Sequence, residues 1–126
     1  MSVNDFTDEL VAAMNAKDLD GTLKRIAKDA IYFWSNGSAY FGKADIAAAL
    51  KRNFDAIQND TYRKVDVTWL ARSAEIAACA YGFEWTGEIA GKPVSGKGRG
   101  TTVLRRVDGA WRVAHEHLSA GEWKGG

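Results

Sequence analysis

The feature that most constrains the fold is residues 98–119, where two alternating strand patterns are joined by Asp108 and Gly109. An aspartate–glycine pair between alternating apolar residues is a strong short-range signal for a β-hairpin. Side chains two residues apart on a strand point to the same face, so both histidines of the chain, His115 and His117, share one face. The chain therefore contains an antiparallel sheet whose two faces differ in chemistry.

The hydrophobic period changes from that of a helix to that of a strand along the chain. Helical spacing is found over residues 4–17, 19–27 and 43–59, and strand patterns over 30–35, 39–41, 64–69, 76–86, 94–107 and 110–119. Helices followed by an antiparallel meander predict an α+β fold in which helices cover one face of a sheet. The length of 126 residues is that of one compact domain, so we expect a single domain over residues 1–126.

Composition excludes several classes of partner. The 17 basic and 16 acidic residues leave a net charge of +1, which predicts neither a nucleic acid nor a membrane surface as partner. The single cysteine, Cys79, lies in an apolar strand pattern and predicts a buried thiol without a disulfide. The sequence shows neither a secretory signal nor an apolar segment that could span a bilayer, and we expect a cytoplasmic protein.

The register of the hairpins sorts the sheet residues into two faces. If Gly109 and Gly91 each take the left-handed position of a turn with a G1 bulge, Gly100 pairs with Glu116 and with Ala80. The predicted outer face then carries Tyr81, Phe83, Trp85, Arg99, Thr101, Val103, Trp111, Val113, His115 and His117. The predicted inner face carries Ala78, Ala80, Gly82, Glu84, Gly98, Gly100, Thr102, Leu104, Ala114, Glu116 and Leu118. A shift of one residue would exchange the faces of a strand.

The terminal hairpin resembles a known family. The pattern of Thr101, Val103, Asp108, Gly109, Trp111, His115, His117 and Ser119 is similar to that of the SnoaL-like group, within the nuclear transport factor 2-like (ketosteroid isomerase-like) superfamily. It is especially similar to the association domain of calcium/calmodulin-dependent protein kinase II. The resemblance implies a cone-shaped roll of the cystatin-like type, in which a strongly bent, mixed sheet wraps the N-terminal helices. It also implies a pocket between helix and sheet and a homodimer formed through the outer face.

The resemblance carries over few functional residues. Gly82, Thr102 and Leu118 stand where the kinase association domain has pocket arginines, so that way of binding a carboxylate is not expected. No tyrosine occurs on the first helix, and the isomerase catalytic set is missing. Steroid isomerisation is therefore not supported.

Two carboxylates are the candidates for chemistry in the pocket. Glu116 and Glu84 fall on the predicted inner face, where apolar surroundings would raise a carboxyl pKa toward the range useful for proton transfer. The alternative is that Glu116 pairs with Arg25 or Arg52 and that Glu84 lies near the open rim. The other predicted pocket residues are Tyr32, Trp34, Tyr40, Thr102 and Leu118.

The two histidines are interpreted as interface residues. A metal site needs a third protein ligand, and the predicted outer face offers no acid, while Arg99 would lie across from His117. Aromatic and arginine side chains are enriched at protein interfaces. The predicted dimer contacts are Tyr81, Trp85, Arg99, Trp111, His115 and His117. The glycine-rich stretch 91–100 enters a strand rather than a helix, so we expect no phosphate loop and no cofactor.

Two functional hypotheses follow from these patterns. The first is a homodimeric pocket protein for a small, mostly apolar organic molecule, with cofactor-independent acid–base chemistry of an isomerase, cyclase or hydrolase type. The second is a non-catalytic association module, which would have a filled or tiny cavity and assemble beyond a dimer. Whether the chain is an enzyme stays open at this point.

Overall fold

Three helices and six strands make up the described part of the chain, residues 1–124, in a computed structural model. The helices are α1 Val3–Asn15, α2 Leu19–Leu23 and α3 Lys43–Ala56. The strands are β1 Ile26–Phe33, β2 Ala39–Phe41, β3 Gln58–Arg72, β4 Ile76–Ile89, β5 Lys92–Val107 and β6 Ala110–Ala120. No helix within residues 1–124 is long and apolar enough to cross a membrane.

The strands form one sheet in the order β2-β1-β6-β5-β4-β3. Neighbouring strands are antiparallel except β1 and β6, which run parallel. The helices pack on one face of this sheet, which confirms the predicted α+β fold with a bent, mixed sheet. The second helix ends at Leu23 rather than residue 27 because Ile26 already pairs with Val113 of β6.

The turn at Asp108 and Gly109 is tighter than predicted. Both residues have positive φ, 51° and 80°, and Val107 pairs directly with Ala110. This is a two-residue turn in which both central residues are left-handed, as in a type I′ hairpin. The predicted G1 bulge at this turn is wrong, because the extra residue of β6 lies further along the strand.

That extra residue is Ala114. Val103 pairs with His115 whereas Leu104 pairs with Val113, so Ala114 has no partner on β5. A bulge of this kind changes the side to which the following residues point. The two histidines therefore lie on the opposite face from Val113 and Trp111.

The hairpin between β4 and β5 also has a two-residue turn, at Ala90 and Gly91, with φ of 53° and 79°. Tyr81 therefore pairs with Gly100, where the sequence predicts Ala80 as its partner. The one-residue shift turns every side chain of β4 to the other face. The predicted faces of β4 are wrong for this reason.

The main core lies between α1 and the sheet. Helix α1 begins with Ser2, whose hydroxyl accepts a hydrogen bond from the backbone N–H of Asp5 at 3.0 Å. Its apolar residues recur at helical spacing and meet the inner face of the sheet. The buried cluster contains Val3, Phe6, Leu10, Ile26, Ala27, Ala30, Tyr32, Ile46, Leu50, Ala77, Leu104, Trp111 and Val113.

Candidate functional site

A cavity of about 320 Å³ lies between the helices and the inner face of the sheet. Its apolar wall is formed by Leu10, Met14, Ile26, Trp34, Leu50, Phe54, Ile57, Phe83, Trp85 and Leu118. Its polar lining includes Asn15, Thr22, Tyr32, Asn53, Asp60, Tyr62, Lys64 and Glu116. An apolar cavity with a few polar groups is the usual form of a small-molecule site.

Glu116 lines the cavity, as the sequence predicts, and so does a second carboxylate, Asp60, which pairs with Lys17 at 3.0 Å. The Oε1 of Glu116 accepts a hydrogen bond of 3.0 Å from the hydroxyl of Tyr81, which is itself 2.7 Å from the hydroxyl of Thr102. The alternative ion pair is not formed among residues 1–124: Arg25 binds Glu9 at 2.8 Å, and Arg52 does not pair with Glu116. The free face of the Glu116 carboxylate is therefore available to the cavity.

Lys64 of β3 is the cationic residue of the cavity wall. Its Nζ lies 4.2 Å from the centre of the Tyr81 ring. Among residues 1–124, no carboxylate oxygen comes within 4.0 Å of this amine. Burial lowers the pKa of Lys64, and the negative charge of Glu116 opposes this shift only in part.

Three phenols surround the carboxylate and remain protonated. Burial raises the pKa of Tyr32, Tyr62 and Tyr81 well above the usual value, and the charge of Glu116 raises it further. Each phenol is therefore a hydrogen-bond donor rather than a base at neutral pH. Tyr62 also stacks on Phe83 with ring centres 6.1 Å apart.

Glycines on β5 make room for the aromatic wall on β4. The glycines are Gly96, Gly98 and Gly100, and a Cβ atom at any of them would come within 2.8 Å of the ring of its paired residue on β4. A small residue in one strand therefore lets the neighbouring ring lie flat across it. The pairs are Gly96 with Trp85, Gly98 with Phe83, and Gly100 with Tyr81.

The end of α1 is hydrogen-bonded to residues of the cavity wall. The side-chain amide of Asn15 donates to the carbonyl of Tyr62 at 2.9 Å and accepts from its N–H at 2.8 Å. Lys17 follows the helix with a left-handed φ of 55°, and its amine donates to the carbonyls of Phe54 and Ile57. These bonds connect the end of α1 to β3 and to the end of α3.

Most of the predicted pocket residues reach the cavity. Tyr32, Trp34 and Leu118 line it together with Glu116. Tyr40 packs behind Trp34 with ring centres 4.9 Å apart. Thr102 is buried behind the wall, where it supports the Tyr81 hydroxyl.

Glu84 does not reach the cavity. Its side chain is 47% exposed and pairs with Arg63 at 2.6 Å on the outer face of the sheet. The prediction that it points into the pocket is wrong, because the two-residue turn at Ala90 and Gly91 shifts β4 by one residue. Gly82 likewise lies on the outer face, where Trp123 covers it.

The predicted interface residues divide between the two faces. Arg99, His115 and His117 lie on the outer face as predicted, on the side opposite to Glu116. Tyr81 and Trp111, which are 0% and 5% exposed, belong to the interior, so their predicted outer position is wrong. The prediction is also wrong for Trp85, which lines the cavity.

The two histidines belong to an aromatic cluster on the outer face. The ring of Phe33 lies edge-on to both His115 and His117, with centres 5.2 Å apart in each case. His115 Nδ1 is 2.7 Å from the carbonyl oxygen of Ile31. Within residues 1–124 there is no group of three histidine, cysteine or acidic side chains that could hold a metal ion.

Sequence patterns missed the aromatic wall of β4 and the polar pair Tyr62 and Lys64. In β3 the alternation of Val65, Val67 and Trp69 predicts that Lys64 lies on the face opposite to these apolar residues. The register shifts between Val65 and Thr68, where Asp66 has a φ of 53°, so Lys64 and Val67 both face inward. An aspartate in a strand pattern was the available signal for this bulge.

The chain is matched by the SnoaL-like domain family over residues 3–121. This chain belongs to the SnoaL-like domain family. No curated protein matches it by sequence. The SnoaL-like domain is thereby confirmed, together with its cystatin-like and nuclear transport factor 2-like fold.

Solved structures with the same fold come from several bacteria. A nuclear transport factor 2-like protein of unknown function from Pseudomonas putida is 21% identical, with a TM-score of 0.82, over 97% of this chain and 87% of that one. A ketosteroid isomerase-like protein from Erwinia carotovora is 18% identical, with a TM-score of 0.79, over 95% and 94%. A candidate calcium/calmodulin-dependent protein kinase II association domain from Xanthomonas campestris is 18% identical, with a TM-score of 0.83, over 96% and 86%.

Proposed function

We propose that this SnoaL-like protein binds a small, mostly apolar organic molecule in the cavity and that Glu116 transfers a proton to or from it. The observation that carries the proposal is the Glu116 carboxylate on the wall of a mostly apolar cavity, oriented by the Tyr81 hydroxyl at 3.0 Å. A positioned carboxylate in such surroundings is suited to act as a general base. We propose no cofactor for this chemistry, since the protonated phenols and Glu116 supply both a donor and an acceptor.

Proton transfer can be tested with a carbon acid of suitable size. We expect the protein to accelerate exchange of the α-hydrogens of 2-tetralone with deuterium from the solvent, measured by NMR. Glu116→Gln should lower the rate about 10²- to 10⁴-fold, which is the usual contribution of a general base. Equal rates for the wild type and Glu116→Gln would refute this role of Glu116.

Glu84→Gln is the matched control. It makes the same change of carboxylate to amide at a side chain that pairs with Arg63 outside the cavity. Its exchange rate should equal that of the wild type. A loss of exchange in Glu84→Gln as large as that in Glu116→Gln would show that the effect is not specific to the cavity.

The homodimer and cytoplasmic location are part of the same proposal. Phe41 is 61% exposed and contacts Phe33, next to His115 and His117, so the outer face near β2 presents apolar surface. We expect Phe41→Asp to halve the solution mass measured by light scattering, whereas Lys51→Asp on α3 should leave it unchanged. A mass unaffected by Phe41→Asp would contradict a dimer at this place.

The proposed cytoplasmic location is compatible with the buried, unpaired thiol of Cys79, since the cytoplasm is a reducing compartment.

The second candidate is a non-catalytic association module. It is favoured by the fold shared with the Xanthomonas campestris protein, which is described as a candidate association domain. The cavity of about 320 Å³ argues for the pocket protein instead, because an association module is predicted to fill that space. Assembly beyond a dimer, together with no binding of any small apolar molecule, would favour this second candidate.

A further inference from the structure

An amine and a carboxylate of the cavity wall both contact the same phenol, that of Tyr81. Lys64 Nζ lies 4.2 Å from the centre of the Tyr81 ring, and the Tyr81 hydroxyl donates to Glu116 at 3.0 Å. Both Lys64 and Glu116 line the same space. This arrangement is not an ion pair, since Lys64 has no carboxylate oxygen within 4.0 Å among residues 1–124.

We propose that Lys64 is a nucleophilic amine that forms an imine with an aldehyde or ketone bound in the cavity. This inference rests on the proposed function, because it names the class of molecule that the same site accepts. The chemistry requires an unprotonated amine, a carbonyl carbon within reach and a group that moves protons between nitrogen and oxygen.

Two features of the surroundings of Lys64 act on its proton in opposite directions: burial favours the neutral amine, and the contact with the Tyr81 ring at 4.2 Å favours the ammonium form. Burial in the apolar wall disfavours the ammonium form and lowers the pKa of Lys64. Lys51, by contrast, is exposed and pairs with Asp55 at 2.9 Å. Among residues 1–124, Lys64 is the lysine that lines the cavity, and burial lowers its pKa.

The reaction balances with the groups that are present. The lone pair of Lys64 Nζ attacks the carbonyl carbon, and the C=O π electrons move to oxygen. Glu116 accepts a proton from the cationic nitrogen and passes it to the oxyanion, which gives a carbinolamine and restores the carboxylate. The nitrogen lone pair then forms the C=N bond as the C–O bond breaks, and the proton that remains on nitrogen passes through Glu116 to the departing hydroxide, which leaves as water. The net change is amine plus carbonyl compound to imine plus water.

The apolar wall determines which carbonyl compounds fit. Phe83, Trp85 and Leu118 surround the polar pair, so the carbon skeleton of the ligand should be apolar and small enough for about 320 Å³. A flat aromatic aldehyde is thus a suitable probe.

The experiment is reductive trapping on the wild-type protein at pH 7. The protein is incubated with 2-naphthaldehyde and sodium cyanoborohydride, digested, and analysed by peptide mass spectrometry. We expect labelling of Lys64 to exceed that of Lys51 by about tenfold or more, which corresponds to about 1.4 kcal/mol of preference for the cavity. Labelling of Lys64 no greater than that of Lys51 would overturn the proposal.

Three variants and one analogue separate the outcomes. Lys64→Arg and Lys64→Met should both lose the cavity label, and Lys51→Arg should keep it. 2-Naphthol has the same ring system without a carbonyl and should quench tryptophan fluorescence through Trp34 and Trp85, which line the cavity. Quenching by 2-naphthol without trapping at Lys64 would refute imine formation and leave the pocket function standing. No quenching and no trapping would refute both.

Discussion

Tyr81→Phe tests the hydrogen bonds that orient the candidate acid–base group. The change removes one hydroxyl and keeps the ring, which is 0% exposed and remains in contact with Lys64. That hydroxyl makes two bonds, of 3.0 Å to Glu116 and 2.7 Å to Thr102. Hydrogen bonds to charged groups contribute about 1.5–3 kcal/mol, and a buried hydroxyl left without a partner costs about 1–3 kcal/mol.

We therefore expect Tyr81→Phe to lower the free energy of unfolding by about 2–3 kcal/mol, because water in the cavity restores part of the solvation of Glu116. The assay is urea unfolding followed by circular dichroism, with Tyr40→Phe as the control. Tyr40 packs on Trp34 through its ring, so loss of its hydroxyl should change the stability by less than about 0.5 kcal/mol. A change below about 0.5 kcal/mol for Tyr81→Phe would refute the network as a source of stability.

Three further predictions concern packing, thiol reactivity and pH. Gly98→Ala should destabilise the fold by about 1–3 kcal/mol in urea unfolding, since its Cβ would lie 2.7 Å from the Phe83 ring and against the Ser119 carbonyl; full stability would contradict the glycine–aromatic pairing. Cys79 is 1% exposed and burial raises its pKa, so a thiol reagent should label it only after unfolding; rapid labelling of the native protein at pH 7 would show that the β4 register is wrong. The pKa of Lys64 is lowered in the folded state, so the unfolded chain binds more protons below the ordinary lysine pKa of about 10.4. The free energy of unfolding of the wild type should therefore rise relative to that of Lys64→Met as the pH approaches this value, measured by urea unfolding of both proteins. A difference that stays constant with pH would contradict the burial of the amine.

Local sequence signals predicted the order of the elements. Apolar spacing identified three helices, and the change to alternation marked the long strands, which the structure confirms as α1 to α3 and β3 to β6. The turn positions at Gly91 and Gly109 were also correct, since a left-handed backbone favours glycine. Glu116 lies between His115 and His117 on β6, and neighbouring side chains on a strand point to opposite faces. Its inward orientation could therefore be predicted from the outward orientation of the two histidines.

The side of the sheet on which each residue lies depended on features that alternation does not record. A single unpaired residue at Ala114 separates Trp111 from the histidines, and a left-handed Asp66 brings Lys64 into the cavity. The shift of β4 by one residue turns Tyr81 inward, and no residue next to Tyr81 in the sequence indicates this shift.

The sequence by itself determined that this protein has helices packed on a bent, mixed sheet with a carboxylate on its inner face. Only the tertiary structure decided that Lys64, rather than Glu84, accompanies Glu116 on the cavity wall, and that the buried Tyr81 donates to Glu116. The physical reason is the period of two along a strand: one inserted residue or a turn shorter by one reverses every side chain beyond it. The packing of aromatic rings against glycines on the neighbouring strand favours one register over the other. These rings and glycines are distant from each other in the sequence.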